Sequence, residues 1–342
     1  MSALPAIASV WNIIVTPETA ELDRPVCPRC GEGRTRHILE GQDHLHATGL
    51  HASVVECTRC GLWFQSPRFP RARHGELYPP EYAPHGQSAT AARPPHPAVR
   101  GYLARHRGYG HLAASATRSP LLDPILGWRA GTQLIPAYVP GGRVMDIGCG
   151  SGGMLRLLQA LGWTDLHGIE PDPAAAAIAR STGADVRQGA VEDVLPVYPD
   201  GHFDAIVASM VIEHVADPYA VMREIARTLR PGGELLLSTV TRDSMDAAFF
   251  GEYWAGFDFP RHMTFFRNED IAALFAERFD RIQRFPQLGP IDWVRSASWR
   301  SRPIDRLITR LGRRVMLGPA IAAALAGRST RVSLRARRLG AR

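Results

Sequence analysis

Four cysteines stand as two matched pairs, Cys27-Pro-Arg-Cys30 and Cys57-Thr-Arg-Cys60, each followed by glycine and separated by 26 residues. Each CxxC turn presents two thiolates, and two such turns supply the tetrahedral sulfur set that a structural zinc ion takes. Disulfides or a redox pair compete for the same residues, but duplication of the whole CxxCG unit favours the metal. His37, His44, His46 and His51 lie between the pairs and could replace a thiolate. The fifth cysteine, Cys149, sits in a run that carries a second kind of chemistry.

In that run, Val144-Met-Asp-Ile-Gly-Cys-Gly-Ser-Gly-Gly-Met-Leu155, an apolar strand climbs into Asp146. Glycines follow at positions 148, 150 and 152, and an apolar helix begins at once. Glycine there lets the backbone turn tightly and approach a ligand. Eighteen residues past Gly152, the strand Leu166-His-Gly-Ile169 ends in Glu170. A carboxylate at the tip of a second strand can accept hydrogen bonds from both hydroxyls of a ribose. Dinucleotides are cradled by similar turns, but they call for GxGxxG, and here the spacing is Asp-x-Gly-x-Gly-x-Gly. Next come Gly189-Ala-Val-Glu-Asp193, the strand Phe203–Ser209, Ile212-Glu-His-Val215, a helix over 218–229, Arg230-Pro-Gly-Gly233 and a strand over 234–239. Alternation of strand and helix argues a parallel, doubly wound sheet.

This series resembles the class I S-adenosylmethionine-dependent methyltransferases, strongly over 141–240 and more weakly on either side. The resemblance implies an α/β, Rossmann-like, mostly parallel seven-stranded sheet. It implies that Asp146, Gly148, Gly150 and Gly152 hold the methionine part of the donor and Glu170 its ribose. Val191 and Glu192 would frame the adenine, and Ser209, at the end of the fourth strand, would face the same site.

Methyl transfer from a sulfonium is an in-line displacement, so the protein mainly aligns acceptor, methyl carbon and leaving sulfur. An oxygen or carbon acceptor also needs a proton removed, which histidine does near neutral pH. Two histidines are candidates. His262 lies in the aromatic run 252–266, as base or as an orienting or structural group. His214 lies just after the fourth strand, at the carboxyl edge where ligands bind, with loop-holding as its competing role. The Glu213-His214 pair is similar to one in methyltransferases that bind a divalent cation for catechol-like quinone precursors. Those carry a further glutamate three residues earlier; Met210 stands there, which argues against a catalytic metal. Pro260-Arg261-His262, with the ribbon, resembles bacterial methyltransferases of polysaccharide and natural-product pathways and sugar C-methyltransferases. In the latter glutamate precedes the histidine, where this chain has Arg261. The resemblance implies a small-molecule acceptor that is a sugar or is sugar-linked.

At 342 residues the chain is long enough for about two domains. The expected layout is a zinc-ribbon module over 21–78, a linker over 79–120 and a methyltransferase domain over 121–342. That domain would comprise a cofactor core (141–240), a substrate segment (241–266) and a helical insertion (303–326). A helix is expected over 121–138. Every donor-contacting motif lies beyond the linker, so a 135–342 fragment is expected to bind donor alone. In the insertion, Ile304, Leu307, Ile308, Leu311 and Val315 share a helical face with arginines around it. Such a helix either docks over the site or, through 303–316, lies on an anionic membrane surface.

The net charge of +7 contains no lysine, and residues 303–342 hold ten arginines against one aspartate. Compositional bias accounts for this, so nucleic acid is a weak partner reading. A zinc-ribbon RNA methyltransferase is the alternative, disfavoured because its aromatics sit beside prolines rather than within a basic strand. No stretch reaches the ~18 apolar residues of a spanning helix. The amino terminus lacks a cationic leader, and the cysteine usage suits a reducing compartment. A cytoplasmic protein is expected.

Overall fold

The computed structural model describes residues 22–78, 95–115, 120–128 and 130–340. The apolar stretch 3–15 and the Pro79–Tyr82 segment lie outside the described residues. The chain opens with β1 (Thr35–Gln42), β2 (His51–Cys57) and β3 (Trp63–Gln65), an antiparallel meander carrying the cysteine turns. Helices α1 (Pro97–His106), α2 (Asp123–Trp128) and α3 (Ala130–Gln133) follow.

The alternating part runs β4 (Arg143–Ile147), α4 (Gly153–Ala160), β5 (Asp165–Glu170), α5 (Pro173–Arg180), β6 (Asp185–Gln188), α6 (Val191–Val194), β7 (Phe203–Ser209), α7 (Pro218–Thr228) and β8 (Leu229–Val240). Then come α8 (Met245–Phe250), β9 (Thr264–Phe265), α9 (Asn268–Phe275), β10 (Phe279–Pro286), α10 (Pro290–Arg300), α11 (Pro303–Leu325) and β11 (Arg331–Arg338). Seven strands form one sheet in the order β10-β11-β8-β7-β4-β5-β6. Strands β4 to β8 pair in parallel, and β11 is antiparallel to β8 and β10. This is the Rossmann-like, mostly parallel sheet of the sequence reading.

Local chemistry explains the elements. In β4, Val144, Met145 and Ile147 are all buried, as a parallel strand covered on both faces requires. Helices α5 and α7 each start at an aspartate followed by proline. Asp172 accepts from Ala175 N at 2.7 Å and Asp217 from Ala220 N at 2.8 Å, capping the free amides. Strand β8 begins earlier than expected. Its register against β7 jumps from Phe203↔Leu229 to Ala205↔Glu234, so Arg230-Pro-Gly-Gly233 bulges within the strand instead of preceding it.

Three expectations are corrected. The stretch 97–115 is not linker: Leu103 and Tyr109 are fully buried, Trp163 Nε1 donates to Tyr109 Oη at 2.9 Å, and Arg107 pairs with buried Glu234 at 2.8 Å. The helix expected over 121–138 is two short helices ending at Gln133. Nor does 135–342 stand apart from the ribbon. Strand β9 pairs with β3 through Trp63↔Phe265 and Phe64↔Thr264, and Val55, Leu62 and Phe64 share one buried cluster with Ile206, Leu235 and Phe275.

The helical insertion also packs differently. Helix α11 kinks at Gly312 and buries Ile308, Met316, Ala320, Ala323 and Ala324. Ile304, Leu307, Leu311 and Val315 stay about half exposed, at 46–49%, so most of the expected apolar face does not dock. Among the described residues no helix is long and apolar enough to cross a membrane.

Candidate active site

Strands β4, β5 and β7 end at one edge of the sheet, and a cavity of about 720 Å³ opens there. Ligands bind at this carboxyl edge in open parallel sheets, and the volume suits a small-molecule site. Six residues of the donor reading line it: Gly148, Gly150, Glu170, Val191, Glu192 and Ser209. His214 and His262 line it as well. Asp146 and Gly152 do not.

The glycine loop is built by close approach. Gly148 has φ +68°, and a β-carbon on it would sit 2.6 Å from Val211 Cγ2. Gly152 has φ +85° and faces Ala179 of α5, 3.1 Å from a would-be β-carbon. The absence of a β-carbon there lets the loop pack against that helix. Glu170 organises the loop from below: its Oε2 accepts from Gly150 N at 2.8 Å and its Oε1 from Asp172 N at 2.9 Å. Glu192 lines the cavity while accepting from Ala216 N at 3.0 Å, and Ser209 bonds Ser238 at 2.9 Å.

Asp146 lies beneath the loop, 5% exposed. Burial, and then the charge of Glu170, push its pKa up to about 8. Two neighbouring carboxyl groups, Glu170 on the cavity wall and Asp146 beneath the loop, fit a cationic ligand. The ammonium and sulfonium of S-adenosylmethionine are of that kind, so the residues present fit the donor.

At the other end the rings of His214 and His262 meet edge-on, 4.5 Å between centroids. His262 Nδ1 donates to Gly256 O at 2.8 Å. A carbonyl only accepts, so Nδ1 carries a proton and Nε2 is the nitrogen open to other partners. Asp258 Oδ2 lies 3.9 Å from that Nε2. Burial opposes its charge, yet His262 and Arg261 hold the Asp258 carboxyl below the usual range. Burial, and then His262, push His214 down to about 3, so its ring is neutral, with Nδ1 3.1 Å from Tyr78 Oη. Glu213, fully buried, is pushed up by burial. It bonds Thr239 Oγ1 at 2.9 Å through one oxygen, and the other has no hydrogen-bond partner among the described residues. Glu213, His214 and His262 bring one ligand atom each within 4.8 Å of one another. The sequence reading set the pair Glu213-His214 aside for want of a third ligand; the fold supplies one from 48 residues away in His262.

The four cysteines form one cluster. Cys27 Sγ lies 3.5 Å from Cys60 Sγ, and Cys30 Sγ 3.5 Å from Cys57 Sγ. That is far beyond a disulfide bond and close to the edge of a thiolate tetrahedron around an ion. The turns repeat one geometry: Gly31 N donates to Cys27 O and Gly61 N to Cys57 O, both at 2.9 Å. His37, His44, His46 and His51 are outside the cluster, and His44 stacks on Trp299 instead. Arg267 ties Cys60 O to Asp270, and Arg29 reaches the same Asp270 at 2.8 Å. The cluster thus seats on the start of α9. Gln65 Nε2 donates to Pro260 O at 2.8 Å and His262 O at 2.6 Å, so the ribbon buttresses the loop that carries His262.

Tyr78, Asp258, Asp292, Arg295, Trp299 and Arg331 also line the cavity, and the sequence did not point to them. Tyr78 belongs to the Leu77-Tyr-Pro-Pro run beside the ribbon, a local signal that could have found it. Arg331 and the α10 residues enter only through tertiary packing.

Residues 127–279 match the family model described as a methyltransferase domain, over the segment that carries most of the Rossmann-like sheet. Over 110 residues the chain is 39% identical to Ubiquinone biosynthesis O-methyltransferase of Xanthomonas campestris pv. campestris (strain B100), covering 30% of this chain and 45% of that protein. The protein of the same name from Xanthomonas axonopodis pv. citri is 36% identical over 137 residues, 38% of this chain and 55% of its own length. The chain thus spans about half the length of these curated relatives. Among solved structures, an S-adenosylmethionine dependent methyltransferase from Mesorhizobium loti aligns with a TM-score of 0.44 at 19% identity, covering 62% of this chain and 97% of that one.

Proposed function

We propose that this chain transfers a methyl group from S-adenosylmethionine to an oxygen of a small-molecule acceptor. The carrying observation is a single cavity lined by Gly148, Gly150 and Glu170, with Asp146 buried beneath them, and by His262. Bound donor supplies an activated methyl on a cationic sulfur. Glu170 holds the glycine loop and faces the ribose, Val191 and Glu192 flank the adenine, and Asp146 stabilises the positive charge through its field. His262 takes the acceptor's proton at Nε2, and the carboxylate of Asp258 steadies the imidazolium. His214, neutral and bonded to Tyr78, keeps the His262 ring in place.

Oxygen as the acceptor atom draws support from the relatives, which are named O-methyltransferases. A sugar-linked acceptor is the narrower version, supported only by the likeness of the ribbon and of Pro260-Arg261-His262 to polysaccharide-pathway enzymes. The relatives' names attach instead to ubiquinone biosynthesis. For the four cysteines we propose structural Zn²⁺, on the strength of the sulfur spacing. The test is transfer of label from S-adenosylmethionine to a panel of hydroxylated aromatics, nucleotide-sugars and glycolipid precursors, read by mass spectrometry. A labelled ether product is expected. Label on nitrogen or carbon, or none with any acceptor class, would refute the oxygen reading.

A further inference from the structure

Helix α11 leaves a row of apolar side chains in solvent. Ile304, Leu307, Leu311 and Val315 are 46–49% exposed, and beyond the Gly312 kink Leu317, Ile321 and Leu325 form a second exposed apolar stripe. Soluble surfaces carry scattered apolar residues, but a row along one helix marks a contact surface. Arg306, Arg310, Arg313 and Arg314 flank it, all exposed, and none has an ion-pair partner among the described residues. The one acid of the helix, Asp305, is buried and bonded to Arg300 at 2.7 and 2.9 Å. The outer face of α11 is therefore apolar and cationic with no negative charge.

We propose that this face binds the surface of an anionic phospholipid bilayer. The helix lies in the interface, Leu307 and Leu311 enter the acyl boundary, and the arginines meet lipid phosphates. Charge decides among occupants. A second copy of the chain would bring this patch against itself in a two-fold contact, arginine facing arginine. A nucleic acid would use the arginines but leave the leucine row in water. An anionic bilayer satisfies both. Helix α10, packed against α11, supplies Asp292, Arg295 and Trp299 to the cavity wall, so contact through α11 brings that wall to the membrane. The proposal holds whichever acceptor the cavity takes.

The test is co-sedimentation of the full chain with extruded vesicles, phosphatidylglycerol–phosphatidylcholine against phosphatidylcholine alone. Two exposed double variants accompany the wild type, Leu307→Ser with Leu311→Ser and Arg310→Glu with Arg314→Glu. Their melting curves by circular dichroism should match wild type. Binding to the anionic vesicles should exceed binding to neutral ones by about tenfold or more, and each variant should lose about tenfold or more. Equal binding to both vesicle types would overturn the proposal. So would a dimer in sedimentation equilibrium that the leucine variant dissolves, or RNA binding that the arginine variant abolishes and the leucine variant leaves intact.

Discussion

Arg261 and Asp43 form a buried ion pair, their guanidinium nitrogens and carboxylate oxygens 2.8 and 2.9 Å apart with both side chains wholly out of solvent. Asp43 also organises the β1–β2 loop, accepting from Leu45 N and His46 N at 3.1 and 3.0 Å. Arg261 immediately precedes His262, so in this chain that position welds the ribbon to the loop of the candidate base.

Removing one partner of such a pair leaves a buried charge. Arg261→Met should cost about 3–5 kcal/mol, and Asp43→Asn in the same background should recover part of it. Burial would raise Asp43, but the bonds and charge of Arg261 outweigh it and hold its pKa at about 2. A depressed folded pKa gives stability that is present above the unfolded value of about 4 and is lost as pH falls toward about 2. Urea titrations from pH 2 to 7 should show this acid-side loss in wild type and a smaller one in Arg261→Met. Equal stability of the two at pH 7 would defeat the weld.

The cysteine cluster should hold about one zinc ion per chain. Because β3 pairs with β9 and Gln65 bonds His262 O, Cys57→Ser should disturb the His262 loop as well as the ribbon. The fragment 135–342 should fail to fold, since it lacks Leu103, Tyr109 and the Arg107 partner of Glu234. Metal analysis and amide exchange over 255–265 check both statements. A folded, donor-binding fragment would count against the coupling.

Donor affinity should depend on pH through Asp146. Its pKa is raised to about 8, so below that pH the donor-free carboxyl is largely protonated. A bound cation favours the ionised form, so binding releases a proton and affinity rises with pH from 6 to 8, then levels. Asp146→Asn should flatten the curve and weaken binding. Calorimetry in buffers of different ionisation heat reads the proton directly, and no proton release at pH 7 would contradict the assignment.

His262→Ala should lower turnover ~10²–10⁴-fold with donor affinity nearly unchanged. His214→Ala should lose stability along with activity, because the neutral ring packs edge-on against His262 and bonds Tyr78. Steady-state kinetics with the true acceptor separate the two. Near-normal turnover in His262→Ala would leave it an orienting group.

Much of the site was legible because its chemistry is local. Each cysteine turn and the glycine loop is a short run whose spacing carries the signal, and Glu170 reaches Gly150 from 20 residues on, at the tip of the next strand. Gly152 shares the loop's spacing, while its neighbour Ala179 belongs to another helix and shows only in the fold. Helix α1 was hidden in a proline- and alanine-rich stretch because its buried Leu103, and Arg107 and Tyr109 just after it, find partners such as Glu234 and Trp163 far along the chain. The α11 stripe was legible as a helix, but periodicity cannot say which face meets protein. His262 and Tyr78 converge on His214 only through the ribbon's docking.

The most direct measurement is calorimetric titration of the full chain with S-adenosylmethionine, for wild type and Glu170→Ala. Glu170 supports Gly150 N and Asp172 N and lines the cavity. Saturable binding at one site per chain, weakened by about 1.5–3 kcal/mol in the variant without loss of fold, is the expected result. No binding by folded wild-type protein, or equal affinity in Glu170→Ala, would contradict donor binding at this loop.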